Sequence, residues 1–207
     1  DRKAVEDTTA EGPAEGRRGV ADHGFCGGSL IADNVVLSAA HCFGLDKKVY
    51  VGYIDDDDDE VQYESFGVLR QIVHSGFAES TYDNDYMISI LDGRSSFRPI
   101  CLPPRVDWDV EVGTKLRVLG FGLTAAERFS ESLLETEVEY ISTPTGSARF
   151  YHLYDLTPNM LCCDSSLLGR DACDGDSGGP LFRREGGEDV LVGIISWGID
   201  CAVHPGV

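Results

Sequence analysis

Apolar positions in this chain come in short, β-branched clusters, separated by turn-forming residues, and no stretch repeats with the 3.6-residue period of a long amphipathic helix. Seven segments read as strands on this pattern: Asn34 to Ser38, Lys48 to Gly52, Gly67 to Val73, Tyr86 to Leu91, Lys115 to Gly120, Leu134 to Ile141 and Val190 to Trp197. Their spacing suits the sandwiches and barrels of all-β proteins. The longest apolar run, Val190 to Trp197, is broken by Gly193 and Ser196 and falls far short of the roughly 18 residues a membrane span needs. Between Arg98 and Val110, Pro99, Pro103 and Pro104 cannot donate to a central ladder, so this stretch reads as a connection between two halves. Residues 1 to 24 are polar, rich in Glu, Gly and Arg and without either period, and read as a lead-in. There is no internal repeat.

Composition agrees with a turn-rich β protein, since 24 of the 207 residues are glycine. Charge narrows the partners. With 17 Lys and Arg against 36 Asp and Glu, the formal charge is −19. Nucleic acid and anionic membranes would be repelled, and cationic partners are favoured. The 7 cysteines include no CxxC pair, which argues against a structural metal and for disulfides formed in an oxidising compartment. The odd number leaves at least one thiol free or bonded outside the chain.

Three segments carry candidate chemistry. Gly175-Asp176-Ser177-Gly178-Gly179-Pro180 sets a serine between glycines, where a tight turn exposes its hydroxyl and leaves backbone N–H groups unobstructed. Leu37-Ser38-Ala39-Ala40-His41-Cys42 places an imidazole after small residues and beside a cysteine that can pin it. Asp83-Asn84-Asp85-Tyr86-Met87-Ile88 sets a carboxylate at the mouth of an apolar strand, where burial makes it seek a charged or N–H partner. Together they supply a nucleophile, a base and an orienting acid.

With Phe25-Cys26-Gly27-Gly28-Ser29-Leu30, Arg98-Pro99-Ile100-Cys101-Leu102-Pro103 and Gly193-Ile194-Ile195-Ser196-Trp197-Gly198, and with all the motifs in the same order, residues 25 to 207 resemble the trypsin-like branch of the chymotrypsin-like serine peptidases. The resemblance implies an all-β fold of two antiparallel six-stranded β-barrels with the active site in the cleft between them. Barrel one would take residues 25–98, the linker 99–110 and barrel two 111–207, stopping short of the family's last strand and C-terminal helix. It implies Ser177 as nucleophile, His41 as general base and Asp85 as the group that orients it, chosen over Asp83 because the family's aspartate directly precedes the apolar run. The N–H groups of Gly175 and Ser177 would form the oxyanion hole, and Asp176 would receive the amine freed on zymogen activation. Asp171 would lie at the floor of the substrate pocket, with Ala172, Ser196, Trp197, Gly198 and Gly206 around it, so that cleavage follows basic residues. Ala172 lacks the hydroxyl that helps many relatives bind an ammonium, and this favours Arg over Lys.

The same resemblance implies disulfides Cys26–Cys42 and Cys173–Cys201. It sets Cys101 where relatives often bond a propeptide or light chain, and leaves Cys162 or Cys163 without its usual partner. No cofactor is implied. Asp55 to Glu60 with Glu64 offer hard oxygens near the calcium loop of some relatives, but the register does not match cleanly. The implied partners are protein or peptide substrates with basic residues and protein protease inhibitors, and the implied state is a secreted monomer. One departure sets up a second reading. Nothing in Asp1 to Gly24 resembles the Ile-Val-Gly-Gly start of the active family enzymes, which points alternatively to a catalytically silent homologue acting as a binding or regulatory protein.

Overall fold

The computed structural model describes residues 26–45, 47–54, 63–104, 110–124, 126–142, 144–146, 156–164, 171–201 and 206–207. These form ten strands: β1 (Ser29–Ala32), β2 (Val35–Ser38), β3 (Lys48–Val51), β4 (Glu64–Val73), β5 (Met87–Leu91), β6 (Lys115–Gly120), β7 (Leu134–Ile141), β8 (Cys162–Asp164), β9 (Pro180–Glu185) and β10 (Glu188–Ile194). All seven segments read from the apolar pattern overlap a strand, β4 and β10 beginning a few residues before theirs. Those missed are β1, β8 and β9, the first two only four and three residues long. β9 begins with a proline. At the first position of a strand its missing N–H breaks no ladder, and Pro180 still sits opposite Ile194.

The strands make two antiparallel five-stranded sheets, ordered β1-β2-β5-β4-β3 and β10-β9-β6-β7-β8. The architecture agrees with a two-barrel fold, although a sixth strand for each barrel is not among the described residues. Residues 1–24 and Asp55 to Glu60 lie outside them too. Alternation explains the packing of β5, which buries Met87, Ser89 and Leu91 and half-exposes Ile88 and Ile90. In the second sheet Leu116 and Val118 of β6 pack with Val138, Leu181, Cys163 and Val110. Fully burying each aliphatic side chain is worth about 1.5–3 kcal/mol.

The two sheets meet along a seam that places the site. Ala39, Cys42 and Met87 of the first half pack with Ile194 of the second. Cys101, in the connecting stretch, bridges Val190 in parallel, with the Leu191 N–H donating to its carbonyl at 2.8 Å. The strand expected to run to Trp197 leaves the sheet at Ile194. Beyond it, the Ser196 and Trp197 N–H groups both donate to the Val207 carbonyl, at 2.9 and 3.1 Å.

Candidate active site

His41 follows the end of β2 in a single 3₁₀ turn over Ala40–Cys42. Ala39 and Ala40 are small enough to be buried beneath it, and the Cys26–Cys42 disulfide fixes the far side of the turn. Across the sheet, Asp85 stands just before β5 and is buried. Its Oδ2 lies 2.7 Å from His41 Nδ1, and its Oδ1 accepts the His41 backbone N–H at 2.9 Å. The Ser196 hydroxyl donates to Oδ2 at 2.5 Å. Burial alone would push the Asp85 carboxyl up, but the hydrogen bonds from the His41 ring, Ser196 and the His41 N–H outweigh it and hold the group below its ordinary value.

Ser177 sits in the turn before β9. Gly175 and Gly178 on either side adopt φ of 95° and 80°, which favours glycine. At Gly178 a Cβ would also lie 2.3 Å from Ser38 Oγ and 2.5 Å from the Gly27 carbonyl. The turn is held from within by the Asp176 N–H to Cys173 and the Gly179 N–H to Asp176, and from the first half by the Gly27 N–H on the Ser177 carbonyl at 2.7 Å. Among the described residues, the N–H groups of Gly175 and Ser177 donate to no carbonyl.

Asp176 points away from Ser177 into a cradle of backbone. Its oxygens accept the Gly122 N–H at 2.8 Å and the Cys173 N–H at 2.9 Å. A Cβ on Gly120 or Gly122 would stand 1.8 or 2.4 Å from this carboxylate, so the Gly120-Phe121-Gly122 segment makes room for it. Burial raises its pKa against the partial relief of the two N–H bonds, and among the described residues no cation pairs with it.

His41 and Ser177 line one cleft of about 270 Å³. The expected pocket residues Asp171, Ala172, Ser196, Trp197, Gly198 and Gly206 line it as well. Cys173–Cys201 joins its walls, and Gly198 bridges Gly206 across it. The Asp171 carboxylate accepts the Ala172 N–H at 2.9 Å.

The structure adds contacts at three residues of this region. Ser196, which lines the pocket, also donates its hydroxyl to Asp85. Tyr82, which no motif singled out, lines the cleft edge-on to His41, ring centroids 5.4 Å apart. Asp83 has its carboxylate on Thr157 and Asn159, and it is Asp85, the residue chosen over it, that meets His41. Cys162 and Cys163 are buried in β8, and burial pushes the Cys163 thiol well up. Cys101 is half-buried beside Arg98 and Glu188. Glu64, grouped with the acidic run as a calcium ligand, has its carboxylate on the Ser95 hydroxyl and on the N–H and hydroxyl of Ser96.

Comparison with known proteins agrees with this architecture. The family model described as Trypsin matches residues 6–207. Human tissue-type plasminogen activator is 35% identical over an alignment covering 94% of this chain and 38% of that protein. The bovine protein of the same name is also 35% identical, with 89% and 36% covered. Mouse mannan-binding lectin serine protease 1 is 32% identical, with 86% and 28% covered. The chain thus spans less than two fifths of the length of these relatives. With a family model matched across nearly its whole length and a two-sheet β fold to go with it, the chain belongs to the trypsin family of serine proteases.

Proposed function

We propose that this chain is a secreted serine endopeptidase that hydrolyses peptide bonds after Arg, and after Lys more slowly, through an acyl-enzyme. The observation that carries the reading is the Asp85–His41 contact at 2.7 Å in the cleft that Ser177 and Asp171 also line. Ser177 Oγ attacks the scissile carbonyl carbon while His41 Nε2 takes its proton. Asp85 on Nδ1 fixes the tautomer and stabilises the imidazolium. The tetrahedral oxyanion is held by the Gly175 and Ser177 N–H groups, each worth about 3–4 kcal/mol in the transition state. His41 then returns the proton to the leaving amine. Water, deprotonated by the same imidazole, releases the acid and restores Ser177.

Specificity in this reading comes from Asp171, a carboxylate that an arriving guanidinium neutralises with two parallel hydrogen bonds. No step uses a cofactor. Secretion is supported by the two disulfides, which persist in oxidising compartments. Substrates and inhibitors would be proteins that present a basic residue to the cleft, and the chain would act as a monomer. Covalent labelling of Ser177 by a fluorophosphonate, together with turnover of a peptidyl-Arg amide, tests the reading. Failure of both in a processed chain overturns it in favour of a silent homologue that binds without cleaving. The observation favouring that second reading is Asp176, whose buried carboxylate meets only backbone N–H groups among the described residues.

A further inference from the structure

One nucleophile takes no part in the chemistry above. Cys163 is a thiol, 8% exposed and outside both disulfides, and it lines the same cleft as Asp171 and Ser177. The alternation of β8 puts it there. Cys162 turns to the cluster around Ile141 and Trp197, so Cys163 turns to the opposite side, among Val118, Val138 and Leu181, with Ala172 packed against them. Those four neighbours line the cleft as well, and Ala172 adjoins Asp171 in the chain. The Cys163 backbone is fastened to the pocket wall: its N–H donates to the Gly206 carbonyl at 2.8 Å, and the Gly206 N–H returns a bond at 2.9 Å.

This setting makes the thiol selective about what it reacts with. A thiol attacks as its thiolate. Burial disfavours that anion most, and neighbouring Cys162 and the Asp171 carboxylate oppose it further, so the Cys163 thiol is held well above its ordinary value. A neutral reagent therefore meets a protonated, weakly nucleophilic sulfur, and an anionic one is repelled by Asp171 as well. A cation that enters to pair with Asp171 reverses the electrostatics, because it cancels the field of the carboxylate and favours a thiolate beside it. The reagent must bring its own positive charge, and a cleft of about 270 Å³ leaves room for a small one.

We propose that Cys163 is a modification site inside the substrate pocket: it forms a mixed disulfide with a small disulfide that carries an ammonium or guanidinium group, and the attached cation occupies Asp171 and shuts the pocket to basic side chains. In the exchange the Cys163 thiolate attacks the nearer sulfur of the reagent. A new Sγ–S bond forms as the reagent's own S–S bond breaks, and the departing thiolate takes up the proton that Cys163 gave. Cys163 is oxidised and the disulfide reduced, so nothing else is consumed. An excess of the free aminothiol reverses the step. The loss of turnover rests on the peptidase reading and its assignment of Asp171, whereas the exchange itself needs only the thiol and the carboxylate.

The test treats the processed chain with cystamine, with the neutral hydroxyethyl disulfide and with the anionic dithiodiglycolate, and locates each adduct by peptide mass spectrometry, so that Cys101 and Cys162 are scored apart from Cys163. Cystamine should modify Cys163 at least about tenfold faster than the neutral reagent, and the anionic one should be slower still, as a field that focuses cations requires. Turnover of a peptidyl-Arg amide should fall at least about tenfold in step with that adduct, since the modified pocket has lost its charge pair. Asp171→Asn should bring the cystamine and neutral rates to within about twofold of each other. Saturating phenylguanidine should protect Cys163 in the parent. Cys163→Ser should show the same turnover before and after treatment.

Equal rates with the three reagents, an adduct on Cys162 but none on Cys163, or loss of turnover on treating Cys163→Ser overturns the proposal. If Cys163→Ser does not fold, the mapped adduct and its protection by phenylguanidine decide on the parent alone. A parent that cleaves the Arg amide while Cys163 stays unmodified by cystamine upholds the peptidase reading and sinks this one. If the parent neither turns over substrate nor takes the fluorophosphonate, the peptidase reading fails. The cystamine and neutral rates in the parent and in Asp171→Asn then decide: a preference for the cation that Asp171→Asn abolishes upholds the site, and its absence overturns it.

Discussion

Ser196 donates its hydroxyl to the same oxygen of Asp85 that faces His41, at 2.5 Å, from a position 111 residues further along the chain. One carboxylate oxygen therefore collects an imidazole from its own sheet and a hydroxyl from beyond the end of β10. Replacing Ser196 with Ala removes a bond to a charged, buried acceptor, an effect of about 1.5–3 kcal/mol. The expected outcome is a fall in kcat of about tenfold or more, with KM for a small Arg ester little changed. Steady-state kinetics check it, and a kcat within about twofold of the parent would show that Asp85 is oriented without Ser196.

Asp85 and Asp176 should give opposite pH dependence of stability. The Asp85 pKa is lowered in the fold, so its contribution is fully present above the unfolded value of about 3.9 and is lost as pH falls through the lower folded value. The Asp176 pKa is raised by burial, so its contribution is present below about 3.9 and is lost as pH rises through the higher folded value. Urea midpoints measured from acid to neutral pH should therefore show Asp85→Asn flattening the loss on the acid side. Asp176→Asn should gain on the parent as pH rises. Parallel curves for the parent and both variants would contradict this assignment.

Glycines around Asp176 set a steric condition on the turn that carries Ser177. Alanine at Gly120 places a Cβ 1.8 Å from the Asp176 carboxylate, which the Gly122 and Cys173 N–H groups hold in its cradle. Gly120→Ala should cost about 1–3 kcal/mol by overpacking. Because Asp176 adjoins Ser177, it should also slow fluorophosphonate labelling by more than the loss of folded protein accounts for. Thermal or urea unfolding run beside labelling rates separates the two, and unchanged labelling of the folded fraction would disconnect the cradle from the site.

Pocket chemistry gives the simplest selectivity test. Ala172→Ser adds a hydroxyl beside Asp171 that suits an ammonium, and should raise kcat/KM for a Lys amide relative to its Arg twin by about three- to tenfold. Asp171→Asn should depress Arg turnover by about a hundredfold, since a charge-assisted pair is replaced by a neutral one. Matched Arg and Lys amides measure both, and equal turnover of the two by the parent would remove the stated preference for Arg.

What could be read from the residues follows from how local each signal is. β6 and β7 match their apolar segments to the residue, because alternation and flanking turns are properties of a few neighbouring positions. The Ser177 turn was legible for the same reason, its glycines lying beside the serine. β8 was missed because three residues, two of them cysteines, carry no period. The Ser196–Asp85 bond and the edge contact of Tyr82 with His41 depend on how loops from distant parts of the chain meet, which no local pattern encodes. Gly120 and Gly122 were the one available clue to the Asp176 cradle, since a glycine pair at the end of a strand marks close approach by something else.

The Gly27 N–H on the Ser177 carbonyl also bears on how the protein folds. The contact joins the start of the described residues to the turn before β9, and a Cβ on Gly27 would sit 2.8 Å from Gly179 Cα, so the two halves touch backbone to backbone there. Contacts of such long sequence separation form late, after each half has gained its own local pairings. The geometry around Ser177 is thus a report on docking: a molecule with both sheets formed but not yet seated would carry Ser177 and His41 without bringing them to one cleft.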